Sequence, residues 1–100
     1  MRPQVLPEAE AEILNAALWY EDQRIGLGEE FYDQILGTIE AIGKFPLRFP
    51  LYEVGDNPRQ LRRALVERFP YIVIFEIRID LILIVAVAHA SRQPGYWGVR

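Results

Sequence analysis

From Tyr71 to Ile77 and again from Leu81 to His89, apolar residues fall on both faces of any strand these segments could form. No other feature of the chain constrains its fold as much. In the first run Tyr71, Val73, Phe75 and Ile77 alternate with Ile72 and Ile74, and in the second Leu81, Leu83, Val85, Val87 and His89 alternate with Ile82, Ile84, Ala86 and Ala88. Successive side chains of a strand point to opposite faces, so a sheet built from these runs must be covered on both sides. Only Arg78, Ile79 and Asp80 separate them, which makes them antiparallel neighbours, and Leu61 to Val66 supplies a third strand of the same meander.

The preceding half has a different period. Ala9, Ile13, Ala16, Ala17 and Tyr20 form one face of a helix that starts at Pro7, after a short extended piece at Gln4 to Leu6. Phe31, Ile35, Ile39 and Ile42 form the face of a second, from about Glu29 to Phe45, where Pro46 ends it. Gly26 and Gly28 stop the first helix, and so short a connection forces an antiparallel hairpin in which Ala16, Ala17 and Gly37 are expected to let the backbones approach. Pro46, Pro50, Gly55 and Pro58 mark an irregular stretch before the strands. The expected fold is a single α+β domain over residues 1–100. It has two layers and the order β-α-α-β-β-β, with the hairpin packed on one face of a mainly antiparallel sheet. The hairpin reads as scaffold, its apolar positions used in packing. It can cover only one face, and the other falls to the tail from Ser91 to Arg100, a second copy or a different protein.

Composition removes several chemistries. There is no cysteine, hence no disulfide or thiolate site, and His89 is the only histidine, which excludes multi-histidine metal centres. No cofactor is expected. The only hydroxyl nucleophile beside that histidine is Ser91, and without a third group to orient the ring a serine hydrolase is disfavoured. The longest apolar run, Leu81 to Ala88, is too short to span a membrane, and the amino end has no apolar leader, so a cytoplasmic protein without membrane contact is expected. The net charge of -3 divides into -7 over residues 1–56 and +4 over residues 57–100. The basic half can meet a polyanion, while the acidic whole opposes wrapping by a long nucleic acid.

Three stretches resemble the RelE/ParE superfamily of toxins from type II toxin-antitoxin modules, in its ParE-like plasmid-stabilisation branch. They are Ala17-Leu18-Trp19-Tyr20-Glu21 through Gly26-Leu27-Gly28 to Phe31, Phe45-Pro46-Leu47-Arg48-Phe49-Pro50, and Ala86-Val87-Ala88-His89-Ala90-Ser91-Arg92-Gln93-Pro94-Gly95-Tyr96-Trp97. With Arg68-Phe69-Pro70-Tyr71 the likeness runs over nearly the whole chain. The resemblance implies a toxin neutralised by a cognate antitoxin in a hetero-oligomer, which favours a different protein as the cover for the second face. Ile72, Ile74, Ile82 and Ile84 are the residues expected to meet it.

ParE members of the superfamily block DNA gyrase, whereas RelE-like members cut messenger RNA on the ribosome. A metal-free ribonuclease needs a base, an acid and arginines for the phosphate. Here these would be His89, Arg92, Tyr96 and Arg63 or its neighbour Arg62. Ser91 and Trp97 stand nearer the places where those nucleases carry an arginine and a tyrosine, and Lys44 is the only lysine. The preferred expectation is therefore gyrase inhibition by binding, with Arg92, Tyr96 and Trp97 towards the target and no catalytic residue. The alternatives are a ribosome-dependent messenger RNA endonuclease, or an inactive module that acts only with its antitoxin in transcriptional autoregulation. His89 reads first as a hydrogen-bonded residue at a strand end, and Tyr96 and Trp97 as packing for the tail.

Overall fold

A computed structural model gives the structure of residues 1–53, 59–92 and 95–100, so Gly55, Pro58, Gln93 and Pro94 lie outside the described residues. The elements run β1 (Pro3–Val5), α1 (Pro7–Gln23), α2 (Leu27–Lys44), β2 (Leu61–Leu65), β3 (Tyr71–Ile77) and β4 (Ile82–His89). Short 3-10 turns occupy Pro46–Arg48 and Tyr96–Val99. The sheet order is β1-β4-β3-β2, with β1 parallel to β4 and the other pairs antiparallel.

α2 starts at Leu27, earlier than its apolar stripe suggests, because α1 supplies its cap. Glu21 accepts hydrogen bonds from the amides of Gly26 and Gly28 at 2.9 and 3.0 Å, and Gly26 takes a positive φ of 90° that glycine adopts without strain. The close approach of the helices is at Gly28 and not at the expected Gly37. A Cβ on Gly28 would lie 2.5 Å from the Ala17 carbonyl oxygen, whereas one on Gly37 would meet nothing.

The helices bury Ala9, Ile13, Ala16, Phe31, Ile35 and Ile42 against Val73, Phe75, Ile82, Ile84 and Val87 of the sheet. A bulge decides which residues of β4 share that face. Ile74 pairs with Ala86 but Phe75 pairs with Ile84, so Val85 is an extra residue and the alternation of β4 inverts across it. Ile82 and Ile84 therefore point at the helices, a correction to the expectation that they share a face with Ile72 and Ile74. Those two lie on the opposite face with Val85, Ala86 and Ala88.

That opposite face is not bare either. The tail folds back over it and buries Trp97 to 1% exposure among Leu61, Ile72, Ile74 and Val85. Of the three covers the pattern allowed, the chain's own tail is the one found over Ile72 and Ile74.

Candidate functional site

β1 pairs with Ile82, Leu83 and Ile84, so among the described residues the rest of the β4 edge has no strand beside it. Side chains take its place. Glu12, on the sheet-facing stripe of α1, accepts the Val87 amide at 3.0 Å, and Arg100 donates to the Val85 carbonyl at 3.0 Å. The two side chains pair at 2.8 Å, and the Tyr96 hydroxyl donates a short hydrogen bond to the other Glu12 oxygen. One carboxylate thus receives an amide, a guanidinium and a phenol.

Burial, the Glu12 hydrogen bond and the Glu12 charge together raise the Tyr96 pKa far above the ordinary tyrosine range. Its proton stays on the phenol and is directed at Glu12. The hydrogen bond from Arg100 to Glu12 raises the Arg100 pKa in turn.

Aromatic rings extend this cluster across the outer face. The Arg92 guanidinium lies 4.2 Å from the Tyr96 ring centroid, Tyr96 meets Trp97 edge-on at 4.8 Å, and Trp97 stacks on Tyr52 at 6.0 Å. Arg63 ends the series, 5.3 Å from the Tyr52 ring. Arg62 points away and donates to the Phe49 carbonyl at 2.6 Å. Arg63 and Arg92 therefore stand at opposite ends of a ring ladder and do not converge on one phosphate-sized point.

His89 lies at the end of β4 with its ring edge-on to Tyr71 at 5.2 Å. Its Nδ1 accepts from the Ser91 amide at 3.1 Å and lies 2.7 Å from the Ser91 hydroxyl, so the neutral ring carries its proton on Nε2. With Arg92, Trp19 and Asn15 it lines an open cleft of about 300 Å3 beside Glu12 and Tyr96.

The structure thus brings together His89, Arg92 and Tyr96, leaves Arg63 apart, and encloses Trp97, which agrees with its reading as packing for the tail and not with its expected place towards the target. Among the described residues no group of three or more histidines and acids is placed to hold a metal. No described helix is long and apolar enough to cross a membrane.

Sequence reasoning missed Glu12 and Arg100. Glu12 carried a signal, since it stands about a turn from both Ala9 and Ala16 and borders the apolar stripe, where a carboxylate needs a partner. Arg59 and Glu76 were missed as well. Arg59 pairs with Glu76 at 3.2 Å and donates to the main-chain oxygen of Arg100 at 2.9 Å, which fixes the tail from its other side.

A family model described as ParE toxin of type II toxin-antitoxin system, parDE, matches residues 4–94. A solved structure described as the chromosomal ParDE TA system from P. aeruginosa is similar in fold, with a TM-score of 0.72 and 16% identity over 91% of this chain and 97% of that one. No curated protein matches in sequence.

Proposed function

The chain belongs to the ParE toxin family of type II toxin-antitoxin systems, and from that premise we propose that it acts by binding DNA gyrase while a ParD-type antitoxin holds it inactive. The observation that carries binding over catalysis is the commitment of Tyr96. Its hydroxyl proton is directed into a carboxylate already paired with Arg100, in a tail that closes the β4 edge. A phenol kept protonated is no base, and to act as an acid it would have to give up its hydrogen bond to Glu12. Arg92 is exposed beside it and offers the target a cation and its stacked ring.

The antitoxin cannot reach Ile72 and Ile74 while Trp97 covers them, and Ile82 and Ile84 lie under the helices. This reading therefore puts the antitoxin on surfaces that are already exposed.

The test is supercoiling by purified gyrase with the chain alone and with its antitoxin, beside cleavage of ribosome-bound message. Inhibition of gyrase that the antitoxin relieves, with message intact, is the expected result. Cut message and unaffected gyrase would replace this reading with the ribonuclease one.

A further inference from the structure

The two layers of the fold carry opposite charge. α1 and α2 together hold nine carboxylates and one lysine, whereas residues 59–92 and 95–100, which build β2, β3, β4 and the tail, hold seven arginines against Glu67, Glu76 and Asp80. Four of the seven are neutralised within the chain, Arg59 and Arg78 by Glu76, Arg68 by Glu30 and Arg100 by Glu12. Arg62 is turned to the Phe49 carbonyl. Arg63 and Arg92 remain, both exposed and both without an ion pair among the described residues.

These two arginines bracket the outer face of the sheet. Arg63 follows Leu61 at the strand spacing of two, and Leu61 is buried with Trp97 on that face. Each guanidinium rests on a tyrosine ring, which holds a long side chain in place. The contacts that join them step by 4.2 to 6.0 Å, so the two cations are at most about 20 Å apart. Over that length duplex DNA presents about twelve phosphates, at about 1.7 Å of axis for each. Two separated cations suit such a backbone better than a single phosphate. The rings between them are closed to stacking. Trp97 is 1% exposed, and Tyr52 and Tyr96 are mostly buried, so the face gives an unpaired base no platform and a protein no large apolar anchor.

We propose that the outer face of the sheet meets the phosphate backbone of duplex DNA, with Arg63 and Arg92 each on a phosphate and the acidic hairpin turned away. The opposite charge of the helical layer limits the contact to this one face, which agrees with a chain too acidic overall to be wrapped. Phosphate contacts of this kind position a protein on the duplex and carry no base sequence. The inference does not rest on gyrase being the target.

The test titrates the full chain into a fluorescent DNA duplex of about 12 base pairs at about 20 mM salt and follows anisotropy. The single strand, the RNA duplex of the same sequence and an oligo-glutamate peptide, each labelled, are titrated beside it. The DNA duplex is expected to bind tightest of the four, with a dissociation constant on the order of 100 µM and a slope of log K against log salt of about -1.8, the value for two neutralised phosphates. Arg63→Gln and Arg92→Gln should each weaken binding by about three-fold or more and make the slope shallower by about one. Arg2→Gln removes the same charge from an exposed arginine beside β1 and should leave the slope unchanged. No saturation by about 1 mM, a slope that survives both substitutions, or an equal effect of Arg2→Gln overturns the proposal. So does tighter binding of the single strand, the RNA or the peptide, which would make that molecule the occupant.

Discussion

Glu12 and Arg100 stand 88 positions apart in the chain and meet at 2.8 Å on the edge of β4 where β1 has stopped. Between them they accept from the Val87 amide and donate to the Val85 carbonyl, so two side chains do what another strand would have done. Both are mostly buried, with 16% and 14% of the side chain exposed, and removal of one leaves the charge of the other without its ion pair. Glu12→Ala is expected to cost about 2 to 4 kcal/mol. Arg100→Ala should cost a similar amount, and the double variant clearly less than the sum of the two, as read from urea unfolding. Additive losses would mean that the two residues act separately.

Tyr96 and Glu76 set opposite limits in pH. The folded pKa of Tyr96 is raised by burial and by Glu12, so its contribution is fully present below the unfolded value of about 10 and is lost as the pH climbs above it. Burial alone would raise Glu76, but hydrogen bonds from Arg59 and Arg78 outweigh it and lower its carboxyl pKa. Its contribution is in place above about 4.3 and is lost as the pH falls through the lower folded value. Thermal melts across pH should fall at both ends, with Tyr96→Phe flattening the alkaline limb and Glu76→Gln the acid one. An unchanged alkaline limb in Tyr96→Phe would assign it to other groups.

Two glycines of α2 should respond to alanine with opposite signs. Gly37 has open space where a Cβ would go, and alanine there should stabilise by about 0.5 to 1 kcal/mol through helix propensity and a less flexible unfolded chain. At Gly28 the same Cβ would sit 2.5 Å from the Ala17 carbonyl, and the helices must part, so Gly28→Ala should destabilise by about 1 to 3 kcal/mol. Denaturant midpoints of the two variants decide it.

Trp97→Ala removes the cover from Ile74 and Val85. The expected loss is about 3 to 5 kcal/mol, with faster amide exchange over Ile72 to Ile74 and Val85 to Ala88 and little change in α2. Uniform acceleration through the helices would show that the tail supports the whole fold rather than one face.

His89→Gln and Tyr96→Phe remove proton chemistry and keep most of the volume. Growth inhibition at matched soluble levels should stay within a few-fold of wild type for both, since single groups at the rim of a binding surface are often nearly neutral. A catalytic role would instead cost about 100-fold or more per residue, and either variant that folds, binds antitoxin and is inert would point to a nuclease.

The elements themselves were legible because they rest on local periodicity. The stripes at Ile13 and Ile35, the proline at the start of α1 and the strand runs at Ile72 and Ile84 gave the order β-α-α-β-β-β, and the three stretches that resemble the family pointed to it. Much of the site was not legible. His89, Arg92 and Tyr96 are near neighbours in sequence and were named, whereas Glu12 reaches Tyr96 from the other end of the chain.

What the sequence determined alone was therefore everything set by spacing within one element: which segments are helix or strand, and that the sheet needs cover on two sides. Tertiary structure decided the rest. One bulge at Val85 turned Ile82 and Ile84 towards the helices, because a single inserted residue reverses a period of two. The tail took the opposite face because Trp97 could be buried there while Arg100 met Glu12 and Arg59, contacts between residues too far apart in the chain for any local pattern to record.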